Sequence, residues 1–131
     1  MTERRYVGLT YIDGIVSGPT GQRSVTFLVD AGAQYSLLPH EVWRSIGLAP
    51  LRTRAFHLAD GTRIERAVSE CVIELPRIDD ETPRGHTPVI LGEPGDVALL
   101  GLVTLENLGL VFNPFDRSLQ PIREAPLTIA V

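Results

Sequence analysis

Phe27-Leu28-Val29-Asp30-Ala31-Gly32-Ala33 is the stretch on which the reading of this chain turns. Three apolar residues, with the size and branching of a buried strand, run straight into a carboxylate. An aspartate is seldom taken out of water without a partner, because desolvating its charge is costly. Gly32 allows a tight backbone turn and leaves its amide near that carboxylate. An acid delivered by a core strand onto a glycine turn either caps the turn or carries chemistry.

Working outward toward the N-terminus, Arg23 to Val29 is the strand that delivers Asp30, and Gly18-Pro19-Thr20-Gly21 before it is a loop. Arg5 to Ile12 alternates loosely and reads as one strand, with Asp13-Gly14 as a tight turn or bulge. On the other side, Tyr35 to Pro39 is a short extended piece. Pro39 opens a helix whose apolar face is Val42, Trp43 and Ile46, closed by Gly47. Arg52 to Leu58 is an exposed or mobile strand. Asp60-Gly61 is a hairpin turn, and Arg63 to Leu75 is a long returning strand. Pro76 to Pro88 is polar and reads as a surface loop; Asp79-Asp80-Glu81 within it is a solvated run. Val89-Ile90-Leu91 is a strand and Glu93-Pro94-Gly95-Asp96 a turn. Leu102, Leu105 and Leu108 space as a short helix closed by Gly109. Leu110 to Phe112 and Ser118 to Ile122 pair as a hairpin, and the tail from Arg123 reads as loose. The chain also echoes itself. Phe27 to Gly32 leads to a helix ending Ile46-Gly47-Leu48, and Val97 to Gly101 runs into one ending Leu108-Gly109-Leu110. Only the first half carries an acid at the end of its strand.

Composition sets the outer limits. A chain of 131 residues is one domain by default. Twelve glycines and ten prolines, spread along the whole length, favour many turns and short strands over long helices, hence a mostly β fold. A net charge of −4 disfavours nucleic acid as a partner, since phosphate binding needs a basic face. No apolar run approaches the roughly 20 residues of a membrane helix, and Met-Thr-Glu-Arg-Arg is not followed by a signal-peptide core. The one cysteine, Cys71, cannot form an internal disulfide, which fits a reducing, cytoplasmic setting.

Leu28-Val29-Asp30-Ala31-Gly32-Ala33, followed by Leu58-Ala59-Asp60-Gly61-Thr62 and then Leu99-Leu100-Gly101, resembles the retropepsin-like aspartic proteases, the single-lobe relatives of pepsin. Their pattern is two apolar residues, Asp, Thr or Ser, Gly and Ala. A flap hairpin comes next, then two apolar residues and Gly before a helix. The resemblance implies a closed β-barrel with two short helices, acting as a C2 homodimer on a peptide or protein substrate, with no cofactor and no metal. It implies Asp30 as the catalytic acid on the loop of Ala31, Gly32 and Ala33. Leu58, Ala59, Asp60, Gly61 and Thr62 become the flap tip, and Leu28, Leu99, Leu100 and Gly101 the floor of the site. Two carboxylates at about 3 Å share one proton, so that one serves as general base on water and the other as general acid. This chain offers one such acid, so each copy contributes its own Asp30.

Ala31 departs from the pattern. In the family, the hydroxyl at that position reaches across the dimer to the partner's loop, and an alanine has none to offer. A dimeric peptide-binding module with weakened catalysis is therefore the competing reading. His40, His57 and His86 lack metal-ligand spacing. Cys71 reads as a small buried apolar residue, and Trp43 as helix packing.

Overall fold

The computed structural model of the chain describes residues 3–6 and 9–122; the tail from Arg123 lies outside the described residues. Ten strands and two short helices follow in the order β1 (Glu3–Tyr6), β2 (Leu9–Gly18), β3 (Gly21–Val29), β4 (Ser36–Leu38), α1 (His40–Ser45), β5 (Arg52–His57), β6 (Arg63–Glu74), β7 (Arg84–Leu91), β8 (Leu99–Leu100), α2 (Leu102–Asn107), β9 (Leu110–Asn113) and β10 (Ser118–Pro121). Eight strands form one sheet in the order β1-β2-β3-β8-β4-β7-β6-β5. An added pairing of β2 with β6, from Ile15↔Glu74 to Ser17↔Val72, closes the inner six into a ring. β9 and β10 form a separate hairpin.

Alternation explains why these segments are strands. Along β2 every second residue from Thr10 to Val16 is buried, and along β3 the same holds for Val25, Phe27 and Val29. A period of two puts one face inside. Phe27, Leu38, Ile46, Ile73, Leu75, Leu100 and Leu105 fill the ring as its largest fully buried side chains, each stabilising the fold by roughly 1.5–3 kcal/mol through lost contact with water. Cys71 lies among them. Both helices stop where a glycine takes up a left-handed backbone, Gly47 at φ +79 and Gly109 at φ +70.

Three expectations change. Arg5 to Ile12 is not one strand: Tyr6 pairs with Leu9 and Arg5 with Thr10, so the chain doubles back on itself between β1 and β2. Asp13-Gly14 is not a turn but the middle of β2, facing Thr26 and Val25. Asp13 accepts a hydrogen bond from the Thr26 hydroxyl at 2.7 Å. Gly14 is small because a Cβ there would sit 3.1 Å from the Glu74 carbonyl, from Leu75 and from the Phe27 ring. Residues 84–88 belong to β7 rather than to a loop, paired with β6 from Glu74↔Arg84 to Glu70↔Pro88. Arg84 and His86 lie on the outer face, where the Arg84–Glu74 ion pair spans 3.5 Å, while Thr87 is buried.

Candidate active site

β8 lies between β3 and β4. It runs parallel to the first, with Leu28↔Leu99 and Val29↔Leu100, and antiparallel to the second at Leu37↔Leu99. The chain leaves β3 at Asp30 and must re-enter at Ser36, so its connection arches over the end of β8. That arch is tied down on both sides. The Asp30 amide donates to the Leu100 carbonyl at 3.0 Å. The first-turn amides of α2, Leu102 and Val103, donate to the carbonyls of Ala33 and Gln34 at 2.8 and 2.9 Å. Helix-start amides have no partner within their own helix, and α2 has no side-chain cap; the arch supplies the acceptors. A Cβ on Gly101 would fall 2.5 Å from the Tyr35 carbonyl carbon and 2.6 Å from its oxygen. The glycine of Leu99-Leu100-Gly101 is thus the opening through which the arch passes.

Within the arch, Asp30 Oδ1 accepts the Gly32 amide at 3.0 Å and the Ala33 amide at 3.3 Å. One carboxylate oxygen is held by backbone, which fixes the side chain. Asp30 is half-buried, and Ala31 and Gly32 are exposed beside it. A cavity of about 480 Å³ opens there, lined by Asp30 together with Thr10, Ala31, Phe112, Pro114 and Arg117 among others, and Asp30 is its one acid among the described residues. A larger groove of about 670 Å³, around Asp13, Thr26, Glu74 and Arg77, shares no residue with it.

The other residues singled out in the sequence divide. Leu28 and Leu99 are half-buried partners across β3 and β8, next to Asp30, whereas Leu100 is wholly buried and serves the core. Leu58, Ala59, Asp60, Gly61 and Thr62 form an exposed hairpin tip between β5 and β6. The tip closes on itself through Leu58 amide to Thr62 carbonyl at 2.8 Å and Gly61 amide to Leu58 carbonyl at 2.9 Å. Hydrogen bonds from the Thr62 side chain, and then from its amide, hold the Asp60 carboxyl below its usual range. None of these five lines the Asp30 cavity. The hairpin meets the arch lower down, where the Phe56 ring packs edge-on against Tyr35 with centroids 5.7 Å apart. The Arg54 guanidinium sits 5.9 Å above the same Tyr35 ring.

Two groups carried no local signal. Thr10, Phe112, Pro114 and Arg117 reach the cavity from segments far along the chain. Beneath the arch, three buried hydroxyls form a chain: the Gly101 amide donates to Ser36 Oγ at 2.9 Å, which contacts Thr104 Oγ1, which lies 2.8 Å from Thr87 Oγ1. Together they join β4, α2 and β7 under Asp30.

Among the described residues no cluster of His, Cys, Asp and Glu is arranged to hold a metal ion, and no helix is long and apolar enough to cross a membrane. A closed ring of strands, with an Asp-x-Gly arch seated on an apolar-apolar-glycine strand end and a hairpin beside it, defines the class of single-lobe aspartic peptidase folds. Residues 16–107 match the family model described as gag-polyprotein putative aspartyl protease. The match spans well over half of the sequence, and the chain belongs to this retropepsin-like family. No curated protein matches it.

Proposed function

We propose that two copies of this chain associate about a two-fold axis as an aspartic endopeptidase, each ring serving as one small barrel and each giving Asp30 to a single shared site. The observation that supports this reading is an acid fixed by two backbone amides at the mouth of a cavity that holds no second acid among the described residues. Peptide hydrolysis by carboxyl groups alone uses two of them, one as base and one as acid, and a symmetry mate supplies the other. The ionised carboxylate takes a proton from a water lying between the pair while the water oxygen attacks the peptide carbonyl carbon. The protonated carboxyl gives its proton to the carbonyl oxygen. The tetrahedral adduct then collapses: the carboxyl that took the water's proton passes it to the amide nitrogen, the C–N bond breaks, and a hydroxyl of the adduct returns its proton to the other carboxylate. Substrate lies extended under the β5–β6 hairpins of both copies and pairs its backbone like an added strand. Leu28, Leu99 and the hairpin tip favour apolar side chains at the scissile bond. The single thiol of Cys71, buried and unpaired, fits a cytoplasmic setting.

Asp30→Asn tests the assignment. Cleavage of an apolar peptide library at about pH 4 to 6 falls at least roughly 1000-fold, while sedimentation shows an unchanged dimer. An Asp30→Asn variant that cleaves like the parent sinks the reading.

Ala31 supports a second reading, a dimeric peptide-binding module with weakened catalysis, because it offers no hydroxyl to the partner's loop. Turnover that a statine-type inhibitor abolishes excludes it. Under the peptidase reading, Ala31→Thr tightens the dimer by about 1 kcal/mol for each hydrogen bond gained, measured by sedimentation; equal affinities would show the hydroxyl to be irrelevant here.

A further inference from the structure

We infer that Arg54, laid against the Tyr35 ring where the β5–β6 hairpin meets the arch, takes up an acidic side chain of the bound peptide at a position flanking the cleaved bond. The inference rests on the peptide site proposed above and deepens it: the substrate class is apolar at the cleaved bond and acidic beside it.

Strand register places the guanidinium. Arg52, Arg54 and Phe56 alternate along β5 and so share one face. Val68, Arg66 and Ile64 stand directly opposite them on β6, which sets Arg54 against Arg66. Like charges facing each other across two strands destabilise the pairing. Arg66 and Arg52 each meet a carboxylate, Arg66 with Glu93 at 3.5 Å and Arg52 with Glu70 at 3.7 Å. Arg54 does not: among the described residues no hydrogen bond or ion pair engages it.

What holds Arg54 is the ring. Its guanidinium sits 5.9 Å from the Tyr35 centroid, within the reach of a cation–π attraction, and Phe56 packs edge-on against the same ring. That attraction leaves the N–H donors uncommitted, and a planar fork held in one place can grip a carboxylate through two parallel hydrogen bonds. Tyr35 is half-buried and ends the arch that begins at Asp30, with its carbonyl over Gly101. The cation is therefore fixed at the far end of the arch from the acid, on the flank of the channel between arch and hairpin. An extended peptide rises about 3.3 Å per residue, so the side chain that reaches Arg54 belongs to a residue beside the cleaved pair and not to the pair itself. With a net charge of −4 the chain as a whole repels an acidic peptide, which makes the preference local to this position. In a two-fold dimer each copy brings its own Arg54, one to each side of the cleaved bond.

The test uses the full chain carrying Asp30→Asn, so that peptides bind without being cut. Fluorescein-labelled peptides hold an apolar pair, with Glu, Gln or Lys scanned through the flanking positions. By anisotropy at about pH 7, where glutamate is ionised, the Glu peptide binds about 10-fold more tightly than its Gln twin at one position on each side of the pair. That ratio falls as salt rises. Adding Arg54→Gln brings it to about one, and Arg54→Glu inverts the order in favour of Lys. Arg54 is exposed, so both substitutions leave the core intact. A side chain that merely pinned the hairpin would weaken all three peptides alike. Glu and Gln peptides that bind equally, or a preference that survives Arg54→Gln, overturn this inference, and cleavage by the parent then keeps the peptidase reading. A preference that Arg54→Glu inverts, in a parent that cuts nothing, upholds the inference and leaves the binding-module reading. A chain that neither binds nor cuts any of these peptides overturns both.

Discussion

Asp30 owes its place to its neighbours two and three residues on. A carboxylate that accepts the amides of Gly32 and Ala33 closes a turn in the same way wherever Asp-x-Gly follows a strand, so this part of the site was legible from seven residues. Thr10, Phe112, Pro114 and Arg117 were not, because nothing in their own segments records which cavity they border. Cys71 shows the opposite case. A small sulfur-bearing residue in an apolar strand reads as core, and burial pushes its thiol from 9.0 up to about 12. Since the folded value lies above the unfolded one, the native state keeps its full stability below about pH 9. That stability falls as pH rises toward 12, where unfolding lets the thiolate form. Urea midpoints should therefore drop progressively above pH 9. At about pH 8, iodoacetamide should label Cys71 only in the unfolded chain.

Strands and helices were readable where burial imposes a period and opaque where it does not. The apolar alternation of β3 and the glycine stops of both helices follow from local chemistry. Asp13-Gly14 misleads, because the pair that favours a tight turn is also the pair that lets two strands approach closely, and only the crossing of β6 over β2 decides between them. Residues 84–88 mislead for a related reason: a strand with one face in water looks like a loop until its partner is known. The β5–β6 hairpin has β5 at the edge of the sheet among the described residues. Its grip on the arch is the Phe56–Tyr35 contact, with Arg54 above the same ring. Phe56→Ala should leave global stability within about 1 kcal/mol but speed amide exchange across Arg52–His57 by roughly 10-fold, as read by hydrogen-exchange mass spectrometry. Exchange that stays at the parental rate would show that the Phe56 ring is not what holds the hairpin.

Closure of the ring is what places the site. β8 is two residues long and would not stand as a strand by itself, yet it separates β3 from β4 and forces residues 30–35 to arch over Gly101. The hydroxyl chain Ser36–Thr104–Thr87 binds three distant segments beneath that arch. Thr104→Val keeps the shape and removes the central hydroxyl, leaving its buried partners short of a hydrogen bond. It should cost about 1–3 kcal/mol in urea unfolding and, under the proposed peptidase function, lower peptide cleavage by loosening the seat of Asp30. The local chemistry of the chain was enough to announce a β protein, an acid poised on a glycine turn, and the order of arch, hairpin and glycine-ended strand, since each depends on residues within one turn or one strand of each other. The pairing of β2 with β6, the wedge of β8, the buried hydroxyls and the rim of the cavity emerge only when segments far apart in the chain are brought into contact. Such contacts are selected by the closing of the whole ring and leave no mark on any one segment.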